Sequence, residues 1–150
     1  MIDIIDFKLE NQTLFKTLNY EWLSKYFKVE PIDELLLSNP KEEIIDKGGH
    51  IIFAKIENTI VGTVALINRG THFELSKMAV NHQYQNRGIG TKLMESALDW
   101  SAKHDVKYLL LYSHSKLKSA LKIYENFGFK YVTLDNNLYS RADIVMEINL

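Results

Sequence analysis

Two apolar runs divided by a short polar turn constrain this chain most. Residues 50–56 (His-Ile-Ile-Phe-Ala-Lys-Ile) and 60–67 (Ile-Val-Gly-Thr-Val-Ala-Leu-Ile) read as strands, and Glu57-Asn58-Thr59 between them is a tight turn. That arrangement predicts an antiparallel hairpin. Asn68-Arg69-Gly70 makes a second turn, and a third strand follows from about His72 to Val80. A further run, 107–112 (Lys-Tyr-Leu-Leu-Leu-Tyr), is almost continuously apolar, as expected of a strand buried on both faces.

Helical periodicity fills the intervals. Gly88 to Lys103 places Ile89, Leu93, Ala97 and Trp100 on one face, and Lys116 to Asn126 is a second amphipathic segment ended by Gly128-Phe129. Near the start, residues 2–7 suit a strand. Asn11 is placed to cap a helix to about Phe27 whose apolar stripe is Leu14, Phe15, Leu18, Trp22 and Tyr26. Pro31 opens a short helix through Leu37, residues 41–46 suit another helical turn, and Gly48-Gly49 ends that region. Two strands, near 129–134 and 142–149, close the chain. The order predicts a mixed α+β (α/β) domain with helices covering a central sheet.

The chain has 150 residues, 46% hydrophobic and 25% charged, enough for the core of one domain spanning 1–150. A net charge of -1 argues against a broad nucleic-acid surface. The absence of cysteine excludes disulfides, thiolate metal sites and a cysteine nucleophile. His50, His72, His82 and His104 show no metal-ligand spacing. The acidic N-terminus is unlike a signal peptide, and no apolar run approaches a membrane span, so a cytoplasmic protein is the expectation.

Chemistry enters at Gln85-x-x-Gly88-x-Gly90, between the third strand and a helix start. Glycines let backbone approach a bulky anion, and the free N–H groups and positive helix end favour phosphate. A plain strand-to-helix connection is the alternative. The Walker pattern is absent. The dinucleotide fingerprint is broken by Leu93, and the next strand ends in Tyr112-Ser113-His114 rather than an acid.

Glu74-Leu-Ser-Lys-Met-Ala-Val80, Gln85-Asn-Arg-Gly-Ile-Gly-Thr91 and Ala120-Leu-Lys-Ile-Tyr-Glu-Asn-Phe-Gly-Phe129 together resemble the GNAT superfamily of N-acetyltransferases. Asn19-Tyr-Glu-Trp-Leu23 resembles a segment of a bacterial group within it. The resemblance implies a mostly antiparallel sheet splayed at a V-shaped gap, flanked by helices on both faces, with acetyl-CoA in the gap and no metal. It implies that the backbone of Met78, Ala79 and Val80 pairs with the pantetheine arm. The turn Gln85, Asn86, Arg87, Gly88, Ile89, Gly90 and Thr91 would hold the pyrophosphate, chiefly through the amides of Arg87, Gly88, Gly90 and Thr91. A strand bulge would aim an amide at the thioester carbonyl.

Amine acetylation needs a base for the amine and an acid for the leaving sulfur. Tyr124 occupies the position of the family's acid; a core tyrosine is the alternative. Glu74 matches the base of some members and, four residues before Met78, would share its face on an ideal strand; a solvent-facing polar residue is the alternative. His114 stands where relatives carry a pantetheine-binding Asn, with exposure the plainest expectation, and Ser119 is a possible cofactor contact. For the acceptor, Glu21, Trp22 and Tyr26 offer an acid with aromatics for a cationic amine, while Arg141, beside Tyr139, can hold a carboxylate. Helix packing is the alternative for Trp22 and Tyr26.

The resulting expectation is acetyl transfer from acetyl-CoA to a primary amine of a small molecule or peptide, by direct attack on the thioester. A non-catalytic acyl-CoA sensor and an enzyme acting on a protein or RNA-bound amine are the alternatives. No nucleic-acid or membrane partner is expected, and a homodimer is left open.

Overall fold

A computed structural model describes residues 1–133 and 139–150. Among these residues seven strands form one sheet: β1 (Ile2–Asp6), β2 (His50–Ile56), β3 (Thr59–Asn68), β4 (Phe73–Val80), β5 (Tyr108–Ser113), β6 (Lys130–Val132) and β7 (Ile144–Asn149). Their order is β1-β2-β3-β4-β5-β7-β6, and every neighbouring pair is antiparallel except β4 with β5. The hairpin read from the sequence is β2–β3, and Glu57 takes a positive φ of 55° in its turn. The strand expected near 129–134 is β6; Leu134 lies outside the described residues.

Among the described residues four α-helices cover the sheet: α1 (Gln12–Tyr26), α2 (Pro31–Ser38), α3 (Ile89–Lys103) and α4 (Lys118–Asn126). On one face Ile89, Leu93, Met94 and Ala97 of α3 and Leu121 and Tyr124 of α4 pack on Val64, Leu75, Leu109 and Leu111. On the other, Phe15 and Leu23 of α1 and Leu36 and Leu37 of α2 pack on Ile51, Phe53, Ala65 and Ile67. Each fully buried Leu, Ile or Phe contributes roughly 1.5–3 kcal/mol, so the two layers fix the sheet from both sides. Among the described residues no helix is long and apolar enough to cross a membrane.

The α1 reading needs correction. Asn11 precedes the helix but makes no side-chain cap bond. Leu14 and Tyr26 are exposed, and the core face is Phe15, Leu18, Asn19 and Leu23. Asn19 is buried without cost because its amide donates to the Phe15 carbonyl at 2.9 Å and its Oδ1 accepts from Trp22 Nε1 at 3.0 Å. In α2, Glu30 and Asp33 form a reciprocal capping box and Pro31 supplies the first helical residue.

Two features of β4 create the site. It pairs with β5 only at Phe73–Leu109 and Glu74–Leu110, after which the two parallel strands part. It also bulges: Ser76 and Ala79 face Ala65 and Thr63 of β3, so three steps on β4 match two on its partner. Lys77 sits in the bulge with a φ of 56°.

Candidate active site

The parting of β4 from β5 opens a cleft of about 460 Å³. One wall is Leu75 to Val80; the other is Tyr112, Ser113, the residues from Lys116 to Ala120 leading into α4, and Lys122, Ile123 and Tyr124 along it. At one end stands the β4–α3 turn, where Gln85, Asn86, Gly88, Ile89, Gly90 and Thr91 all line the cleft. Asn86 and Gly88 have positive φ, 65° and 80°. This geometry turns successive amides toward one side, and the first amides of α3 have no partner within the helix. At Gly90 a β-carbon would come within 2.8 Å of Ile123 Cδ1, so glycine lets α3 close on α4. The turn is braced by Gln85, whose amide donates to the Val80 carbonyl at 3.2 Å, and by Asn81, which caps the following single helical turn. Arg87 lies outside the cleft lining, its guanidinium 5.1 Å from the centre of the Tyr84 ring.

Met78, Ala79, Val80, Ser119 and Tyr124 line the cleft. Tyr124 rests against Phe129, and burial pushes its phenol well above the ordinary tyrosine value. It therefore keeps its proton at neutral pH.

Glu74 is placed differently from the sequence expectation. The bulge adds one residue between Glu74 and Met78 and reverses their alternation. Met78 packs with the α3 layer, while Glu74 faces the other side. Glu74 is 1% exposed and absent from the cleft lining. Its carboxylate accepts from Arg69 Nε at 2.8 Å and Nη2 at 2.7 Å, and from the Tyr139 hydroxyl at 3.2 Å.

His114 is half-buried rather than exposed. Its Nδ1 accepts from the Lys116 amide at 3.0 Å, its Nε2 lies 3.5 Å from Asp143, and its ring packs edge-on to Phe27. It lines a side hollow of about 30 Å³ instead of the main cleft. Glu21 also leaves the site: its carboxylate takes the His82 amide at 2.8 Å and the His82 ring at 3.2 Å, pinning α1 to the turn after β4.

Trp22, Tyr26 and Arg141 do line the cleft. Arg141, however, is committed to acids. It donates to Asp33 at 2.6 and 2.9 Å and to Glu30 at 3.0 Å, and it stacks over Trp22 and Tyr139. Asp33 also holds the ammonium of Lys77 at 2.6 Å. Burial pushes the Asp33 carboxyl up, but Arg141 and Lys77 outweigh it and hold the group below its ordinary value. Three cations (Arg69, Lys77, Arg141) and three acids (Glu30, Asp33, Glu74) thus form a neutral network around Tyr139. The sequence reading missed Lys77 and Asp33. The available signal was a lysine inside an otherwise buried strand, where an unpaired charge is prohibitive. Among the described residues no group of three metal-ligating side chains gathers.

A splayed sheet with an amide-lined turn at one end of the gap and titratable side chains at the other defines an acyl-group transferase that takes its donor as a CoA thioester. Comparison with known proteins agrees. Streptothricin acetyltransferase A of Bacillus subtilis (strain 168) is 28% identical over 134 residues, covering 88% of this chain and 75% of the relative. The crystal structure of a GNAT-family acetyltransferase from Staphylococcus aureus Mu50 superposes with a TM-score of 0.89 at 22% identity, covering 99% of both chains. A PaiA N-acetyltransferase from Thermoplasma acidophilum, solved in complex with coenzyme A, gives 0.76 at 20% identity, covering 100% and 99%. Residues 16–129 match the acetyltransferase (GNAT) family, and the chain belongs to it. It is an acetyl-CoA-dependent N-acetyltransferase.

Proposed function

We propose that this enzyme acetylates the primary amine of a small molecule or peptide by direct attack of the amine on the acetyl-CoA thioester. The observation that carries the reading is one continuous cleft, with the amide turn of α3 at one end and Ser76, Tyr112 and Tyr139 at the other. The residues fit the donor. Amides at Gly88, Gly90 and Thr91, with that of Arg87 beside them, suit the pyrophosphate, and the cleft-side edge of Met78–Val80 suits the amides of the pantetheine arm. Tyr124 supplies a proton to the leaving sulfur. The small-molecule assignment draws on the likeness to streptothricin acetyltransferase A. Because Arg141 and Glu21 are paired within the protein, neither is assigned to the acceptor. Trp22 and Tyr26 instead give the acceptor an aromatic wall. A cytoplasmic setting fits this reading.

The test is CoA release from acetyl-CoA with a panel of amines: free amino acids, polyamines, an aminoglycoside-type and a streptothricin-type compound, and peptides with free N-termini. Turnover of at least one class is expected. Tight acetyl-CoA binding with no release across the panel would instead identify a sensor. Tyr124→Phe should lower kcat by roughly 10²-fold with acetyl-CoA affinity unchanged.

A further inference from the structure

Glu74 poses a problem that its surroundings answer. It is a buried carboxylate, yet it does not line the cleft. Tyr139 does both things: it lines the cleft, and its hydroxyl donates to Glu74 Oε2 at 3.2 Å. Ser76, half-buried on the cleft wall, places its hydroxyl 3.5 Å from the Tyr139 hydroxyl. We propose that Ser76, Tyr139 and Glu74 form a relay that carries the acceptor's proton out of the cleft to the buried carboxylate.

The surroundings suit the task. Arg69 holds Glu74 with two donors and reaches the Tyr139 hydroxyl at 3.4 Å, which fixes the acceptor oxygen and the phenol together. The Tyr139 ring is clamped by Lys77, 4.4 Å from its centre, and Arg141, 4.7 Å away, with Tyr112 edge-on at 5.6 Å. Such a ring cannot swing, so its hydroxyl stays aimed at Glu74. Burial and the Glu74 charge hold the phenol far above its ordinary value. A phenolate is thus avoided, and Tyr139 must pass one proton on as it takes another. Hydrogen bonds of acid–base groups are often long in the empty enzyme and tighten when substrate is bound.

The step balances. The amine nitrogen forms the N–C bond to the acetyl carbonyl carbon and the C–S bond breaks. The electron pair of that bond goes to sulfur, which takes a proton from Tyr124. The proton lost by nitrogen goes to Ser76 Oγ, the serine proton to Tyr139 Oη, and the phenol proton to Glu74 Oε2. Solvent then takes the proton from Glu74 and returns one to Tyr124. The charged and titratable groups facing this relay are Arg69, Lys77, Asp33, Tyr112 and Arg141.

This inference rests on the amine acetylation proposed above. Its test uses the best acceptor of that amine panel with three single variants, Ser76→Ala, Tyr139→Phe and Glu74→Gln, and the Tyr139→Phe/Glu74→Gln double. The phenylalanine keeps the clamped ring, and circular dichroism with acetyl-CoA calorimetry checks fold and donor binding. The expected result is a fall in kcat of roughly 10²-fold for Tyr139→Phe and Glu74→Gln, with no further fall in the double, because members of one relay are not additive. The wild-type rate in mixtures of light and heavy water should curve, reporting more than one proton in flight, and that of Tyr139→Phe should be linear. Wild-type turnover in Tyr139→Phe, or multiplied losses in the double, would overturn the relay and leave the acetylation reading intact. No turnover by the wild type with any amine would overturn both.

Discussion

Replacing Asp33 by Asn tests the network that holds the acceptor end together. Asp33 is wholly buried and accepts 2.6 Å contacts from both Lys77 and Arg141. Arg141 retains Glu30 in the variant, but the Lys77 side chain, 1% exposed, loses its salt-bridge partner. Breaking a buried pair from one side costs about 3–5 kcal/mol, since the orphaned ion keeps its desolvation penalty. For a chain of this size each kcal/mol moves Tm by about 2–4 °C, so the expected drop is about 6–20 °C. Lys77 also sits at a φ of 56°, a left-handed conformation that costs a side-chain-bearing residue roughly 1–2 kcal/mol. The ion pair therefore also offsets the strain of the bulge. Asp33→Leu/Lys77→Met, which removes both charges, should lose less than Asp33→Asn. Thermal and urea unfolding followed by circular dichroism give the numbers. A loss below about 1 kcal/mol for Asp33→Asn, the range of an exposed pair, would refute the account of a stranded charge.

Three more outcomes follow from the same geometry. Asp33 has a folded pKa below its ordinary 3.8, so its contribution is complete above that pH and lost as pH falls through the lower folded value; acid unfolding should be steeper in the wild type than in Asp33→Asn. Gly88→Ala forces a β-carbon onto a φ of 80°, and should cost about 1–2 kcal/mol in stability and weaken acetyl-CoA binding measured by calorimetry. Glu21→Gln should leave the KM of the amine unchanged while loosening the His82 turn by about 0.5–1.5 kcal/mol; a raised amine KM with unaltered stability would restore Glu21 to the acceptor site.

Local chemistry made much of this legible from residues alone. The β2–β3 hairpin, the α3 stripe and the doubly buried β5 each announce themselves within a dozen residues, through period and turn. The amide turn is equally local, because glycine spacing and a helix start suffice to mark it. The acceptor end could not be read this way. Lys77 meets Asp33 across 44 residues and Arg141 meets it across 108, and nothing near any of the three names its partner. Glu21, Arg141 and His114 were read as available polar groups because each protein partner, His82, Asp33 or Asp143, is supplied by another segment.

The bulge explains why the two halves of the cleft were legible to different degrees. A regular β4 would put Glu74, Ser76 and Met78 on one face, and the proposed proton acceptor and proposed donor wall would coincide. One extra residue at Lys77 instead divides the strand. Upstream, Glu74 and Ser76 look toward Tyr139 and the α1–α2 layer; downstream, Met78 and Val80 pack with the α3 layer that carries the glycine-rich turn. The same insertion sends the Lys77 ammonium to Asp33, where it helps to fix Tyr139. A period-two pattern cannot register a single added residue. The feature that separates Glu74 from Met78 on the two faces of β4 is therefore the one that strand periodicity is least able to show.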